Sequence, residues 1–191
     1  MSSFAVDAGS SSLGEADHLV HDLVAGLGLP EGTVACTHLI RTGTAHVAVS
    51  VRLPPGAPAV EERLTTFART RPVGVATGTR RLGPAHLADG AAVAEAQHTA
   101  RQAGRAVIYP GVAALTGTVS FEELFAVSAI TRVAVIGGAD QPGRQDRLLT
   151  RDHVRPEWHD GDLTLAVTAV ERGLYAPFEV PNPTPCCADH A

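Results

Sequence analysis

The sequence predicts a single α+β domain with a mixed β-sheet: an N-terminal helix and hairpin, two to three further helices, and a C-terminal β-meander. Three patterns carry this expectation. Leu19, Val20, Leu23, Val24 and Leu27 recur at helical steps. Two strand-like runs, 33–41 and 44–53, flank Thr42 and Gly43. In the last third, further strand-like runs at 147–152, 163–170 and 175–180 are separated by the turn pairs Asp160, Gly161 and Arg172, Gly173.

In chain order, residues 1–11 are small and polar and read as a flexible N-terminus. A helix follows over about 13–27, stopped by Gly28 and Pro30. Thr42 and Gly43 suit a two-residue turn, which sets Ile40 opposite Ala45, His38 opposite Val47 and Cys36 opposite Val49. Val47, Val49, Val51 and Leu53 then share an apolar face with Val34, Cys36, His38 and Ile40, while Leu39 and His46 take the other face. Pro54, Pro55 and Gly56 break the strand, and Pro58 opens a short helix ending near Arg69. A strand is expected over 73–79. Asp89 is read as the cap of a helix over 90–103 that Gly104 ends. Strands are expected at 106–109 and 132–136. Between them, Ser120 and Glu123 have capping-box spacing for a helix reaching about Ile130. Pro156 makes 154–158 an edge or loop. No internal repeat or linker divides 12–180, and 181–191 forms a Pro- and Cys-rich tail.

Composition narrows the chemistry. All 15 cationic residues among the 191 are arginine. Schiff-base catalysis on a lysine, a phosphate loop with its lysine and protein-kinase chemistry are therefore excluded. A net charge of −5 and scattered arginines give no basic stripe for a nucleic acid duplex. Five Phe, two Tyr and one Trp make a poor stacking platform for single strands. The N-terminal residues lack the pattern of a signal peptide, and no apolar run is long enough to span a membrane. Three cysteines fit a reducing cytoplasm better than a disulfide scaffold.

Several groupings carry chemistry. Cys186, Cys187 and His190 bring thiolate and imidazole ligands into the last six residues, suited to zinc or copper. Adjacent cysteines are unusual for zinc and favour a soft ion, or one ligating and one free thiol. A tetrahedral site needs more ligands, and Cys36 with His38 is where the body offers them. The same residues also read as two free thiols on a loose end and two core side chains, or as a redox pairing of one tail cysteine with Cys36. Asp152, His153, His159 and Asp160 gather around an irregular edge, as a general acid–base pair would, or as turn residues. His18, His21 and Asp22 share a helix flank that serves a divalent metal or simply faces solvent. Val135 to Asp140 runs into Gly137 and Gly138 without dinucleotide-binding spacing. Gly-x-Ser-x-Gly, His-Glu-x-x-His and paired Cys-x-x-Cys motifs are missing.

Three functional readings stay open. The first is a cytoplasmic protein binding a small molecule or soft metal through Cys186, Cys187 and His190, with Cys36 and His38. The second is a small-molecule enzyme using Asp152, His153, His159 and Asp160. The third is an interaction subunit docking by its extended tail, with sheet edges through which a homodimer can form.

Overall fold

The computed structural model describes residues 3–138 and 141–181. The fold is α+β with a mixed sheet. In chain order the elements begin β1 (Ser3–Ser10), α1 (Leu13–Gly26), β2 (Val34–Ile40), β3 (His46–Arg52), α2 (Glu61–Thr70), β4 (Gly74–Thr77), β5 (Arg80–Leu82), α3 (Ala85–Ala100) and β6 (Arg105–Ile108). They continue with β7 (Thr118–Ser120), α4 (Phe121–Val127), β8 (Arg132–Val135), β9 (Arg147–Leu149), β10 (Glu157–His159), β11 (Asp162–Glu171) and β12 (Leu174–Pro177). Two compact units form. One holds the residues up to Pro110 together with Glu157–Leu163, the other Gly111–Pro156 and the residues from Thr164 onward. Among the described residues no helix is long and apolar enough to cross a membrane.

In the first unit the strand order is β5-β4-β1-β3-β2-β6-β10. All the β1–β6 pairings are antiparallel. The run from β1 to β4 is a split β-α-β arrangement, with β3 inserted between β1 and β2. Helix α1 forms where the apolar spacing placed it. Ser12 caps it by accepting from the Glu15 amide at 3.2 Å, and Leu19, Val20 and Leu23 face the sheet. With Leu64 of α2 they pack on Phe4, Val6, Val47, Val49 and Val51. Alternation along the strands sends Ala5, Ala48 and Ala76 to the opposite face, where Ala91 and Ala94 of α3 lie against them. These are small side chains, so α3 comes down almost to backbone contact. A Cβ on Gly74 would stand 2.1 Å from the Leu87 carbonyl carbon, and one on Gly90 would stand 2.0 Å from an Asp7 carboxylate oxygen.

Three expectations are corrected here. Residues 3–10 are no flexible N-terminus: they form β1, the strand between β3 and β4, with Phe4, Ala5, Val6 and Asp7 fully buried. The hairpin loop runs over 41–45 instead of turning at two residues, so Ile40 pairs with His46, His38 with Ala48 and Cys36 with Ser50. That one-residue slip moves Cys36, His38 and Ile40 away from the valine face and onto the α3 face beside His46 and Ser50. Helix α3 begins after Pro84, not at Asp89, which lies inside it. Its sheet-facing residues are largely alanine, so no strong apolar stripe marked its start.

In the second unit β8 pairs with β11 in parallel, β11 with β12 antiparallel, β12 with β9 in parallel and β9 with β7 antiparallel. The β11–β12 hairpin supplies the expected meander. The Ser120–Glu123 capping box is present in full and starts α4. Phe121 and Tyr175 meet edge to face at 5.5 Å.

Gly74→Ala is expected to destabilise the fold by about 3 kcal/mol, since the added methyl meets helix backbone that cannot give way. Gly26→Ala meets nothing within 4 Å and is expected to stabilise by about 0.5–1 kcal/mol through helix propensity. Urea unfolding midpoints of the two variants against the parent check both signs.

Candidate functional site

The α3 face of the first unit carries two separate groups of buried polar side chains that contain histidine. The first is built where β1 bulges. Pairing with β3 shifts between Val6 and Ser10, and Gly9 takes a positive φ of 68°. Alternation along β1 places Asp7 on the α3 face with Ala5, and one of its carboxylate oxygens accepts from the Gly9 amide at 2.8 Å. The other meets His46 Nε2 at 2.7 Å, from the first residue of β3. His46 Nδ1 lies 2.8 Å from the Thr44 carbonyl oxygen. Both ring nitrogens therefore face acceptors, and only the doubly protonated ring satisfies both. Burial works against that charge, but the Thr44 carbonyl and the Asp7 carboxylate outweigh it and raise the His46 pKa above its ordinary value. Gly90 makes the arrangement possible, because any side chain there would occupy the carboxylate's position.

His46 forms part of the wall of a cavity of about 480 Å³. Gly9, Ser11, the hairpin loop over 42–45, His86 and Leu87 complete it. Two imidazoles and three hydroxyl residues line the space, with Ala45 and Leu87 as apolar surface and no carboxylate in the wall. A second cavity, of about 570 Å³, runs along β8 in the other unit. Phe125, Thr131, Gln141 and Pro142 complete that lining, which holds no imidazole, thiol or carboxylate. The His46 cavity thus has the richer chemistry.

The second polar group is sealed. Ser50 Oγ lies 2.7 Å from both His38 Nε2 and His98 Nδ1. His38 Nδ1 lies 3.0 Å from Gln97 Oε1, and the Cys36 sulfur 4.0 Å from His98 Nε2. One direction satisfies every neutral group: the thiol donates weakly to His98, His98 to Ser50, Ser50 to His38 and His38 to Gln97. Burial drives the His38 pKa down to about 4, although the Gln97 bond pulls upward. Burial, His38, and the Arg52 and Arg101 guanidinium groups bring His98 down to about 3. Burial also pushes the Cys36 thiol up, against the pull of Trp158 and Arg105, so it stays a protonated, inert donor. Trp158 of β10 covers the chain of bonds, its ring 6.3 Å from that of His98, with Arg101 stacked on its outer side at 5.0 Å. Gly104 closes the rest, since a Cβ there would lie 2.6 Å from the His38 ring.

The sequence-selected residues distribute as follows. Cys36 and His38 share a face as parts of this sealed network, where the thiol's imidazole neighbour is His98. Cys186, Cys187 and His190 lie outside the described residues. Among the described residues no group of three or more His, Cys, Asp or Glu could hold a metal ion. His153 bonds Glu179 at 2.9 Å, and Asp152 accepts from the Gly117 amide at 2.9 Å within the second unit. His159 and Asp160 belong to the first unit, His159 standing exposed 3.5 Å from Glu157 and Asp160 turning the chain at φ 50°. None of these four lines either cavity. Asp7 and His46 escaped the sequence reading. The signal available was an acid inside a run whose other members, Phe4, Ala5 and Val6, alternate as a strand does.

Ser50→Ala strips a partner from two buried imidazoles and is expected to cost about 3 kcal/mol. The pH dependence has a definite sign. His38 and His98 have lowered folded pKa values, so their contribution is fully present above about 6.5 and is lost as pH falls toward 4 and 3. Each should remove about 1.4 kcal/mol per pH unit in that window. His46, with its raised value, acts oppositely: its contribution is present below about 6.5 and lost as pH rises through the folded value. Urea midpoints from pH 4 to 9 should trace a maximum near neutrality, and the acid limb should become shallower in a His98→Asn variant.

No protein-family model, curated protein or solved structure matches the chain.

Proposed function

We propose that this chain binds a small anionic molecule in the cavity beside His46. His46, which stands in the cavity wall and is paired with the buried Asp7, is the observation that carries the reading. A buried acid–imidazole pair costs desolvation that packed apolar side chains would avoid, so its placement beside open space favours a ligand role over a purely structural one. The cavity's volume falls in the range of about 300–1,000 Å³ usual for small-molecule sites. Its wall presents imidazoles and hydroxyls without an acid, which suits a carboxylate or phosphate group, and Ala45 and Leu87 suit a short apolar portion. With a proton on each ring nitrogen, both directed at acceptors, His46 supplies positive charge and has no free lone pair to act as a proton-abstracting base. This favours binding over acid–base catalysis.

Amide NMR of the full chain titrated with small carboxylates and phosphate monoesters tests the proposal. Shifts should concentrate at Gly9, Ser11, residues 42–46, His86 and Leu87, and should vanish in an Ala45→Trp variant that fills the space. No response to any probe, or an undiminished response in that variant, contradicts it.

A further inference from the structure

We infer that His46 is a proton-operated latch: its second proton ties the 42–45 loop to the sheet and thereby holds the wall of the ligand cavity in shape. The inference rests on the cavity reading above for its functional meaning, but its structural content stands alone.

His46 bridges two chain segments, Asp7 on β1 and the Thr44 carbonyl in the hairpin loop, at 2.7 and 2.8 Å. An imidazole that loses one proton keeps a single donor and must abandon one acceptor. The two acceptors are unequal. Asp7 is fully buried, and leaving its carboxylate without the ring costs far more than exposing a loop carbonyl to water. The surviving proton therefore stays on Nε2, and the bare Nδ1 lone pair then opposes the Thr44 oxygen. The attraction that closed the loop becomes a repulsion.

The loop has little else to hold it. Residues 41–45 are exposed and lie beyond the last β2–β3 pair, Ile40 with His46. Gly43 takes a positive φ of 74°, and a side chain there would meet nothing within 4 Å. Yet residues 42–45 supply much of the cavity wall. Releasing them removes the space in which a ligand would sit.

The charged and titratable groups around His46 come from three elements. Asp7 faces it from β1, and His86 of α3 lines the same cavity. Glu15 of α1 turns its carboxylate onto Ser11, which also lines that cavity. The bonds to Thr44 and Asp7, which raise the His46 pKa, put the release above the pH at which an ordinary imidazole titrates. Ligand affinity should accordingly fall as pH rises through the release point.

The test needs no ligand. Ring ¹⁵N signals of His46 and backbone ¹⁵N relaxation of residues 42–45 are followed together on the full chain from pH 5.5 to 9. Loop order parameters should drop from the rigid range near about 0.85 toward about 0.6 or lower, with the same midpoint as the His46 ring. His46→Gln should abolish the pH dependence, while His86→Gln should leave the midpoint unchanged. Asp7→Asn, which removes the charge that holds the proton, should move both midpoints down together. Loop order that stays constant across the His46 titration, or a pH dependence that His86→Gln abolishes, overturns the latch. If the latch operates while no carboxylate or phosphate probe binds, the ligand reading fails and the latch stands. If probes bind in the cavity with an affinity independent of pH across the His46 titration, the latch fails and the ligand reading stands.

Discussion

The first unit depends on how closely α3 sits on its sheet. Gly74 and Gly90 have no room for a methyl group, and Ala5, Ala48, Ala76, Ala91 and Ala94 fill the contact with minimal side chains. Such an interface buries little apolar surface per residue, unlike the leucine–valine packing beneath α1 and α2. What it gains is proximity. With backbone almost touching backbone, water is excluded, and every polar side chain on that face must find its partner within the protein. Glu95 shows the rule: 8 % exposed, it takes the Gly78 amide with both carboxylate oxygens, at 2.9 and 3.0 Å.

The two histidine groups are opposite solutions to that constraint. Toward the C-terminal end of α3, His38, Ser50 and His98 share protons in one direction and stay neutral, sealed by Trp158 and Gly104. A neutral bonded line costs little in a dry interior and confers rigidity. Toward the N-terminal end, the β1 bulge and the open hairpin loop leave a cavity, and there the protein keeps a charged pair. The same side-chain type serves as an inert connector in one place and a responsive one in the other. Access to solvent and the number of acceptors around the ring decide which.

Much of the secondary structure was legible because it follows from local chemistry. The leucine–valine spacing of α1, the Ser120 and Glu123 cap of α4, and the turn at Asp160 and Gly161 each rest on residues within a few positions of one another. What escaped depends on distant partners. Ser3–Ser10 looks like a polar leader until β3 and β4 enclose it, and its Asp7 and Ser10 are paid for only in the folded unit. The hairpin register turned on whether the chain reverses in two residues or five. Periodicity alone could not decide, since both faces of β2 hold apolar residues. That slip concealed the site: in the expected register His46 faced away from Cys36 and His38, whereas all three point toward α3. The Cys186, Cys187 and His190 grouping drew attention by residue type, yet it lies outside the described residues. Asp7 and His46 are 39 positions apart, and no local pattern joins them.

The central claim is that close seating of α3 divides the buried histidines into a neutral, directional line and a charged pair beside the cavity. A single long-range ¹H–¹⁵N spectrum of the histidine rings at pH 5.5 tests it most directly. The account predicts protons on both nitrogens of His46, and on Nδ1 alone in His38 and His98. A bare nitrogen on His46, or a second proton on either of the other two, would contradict it.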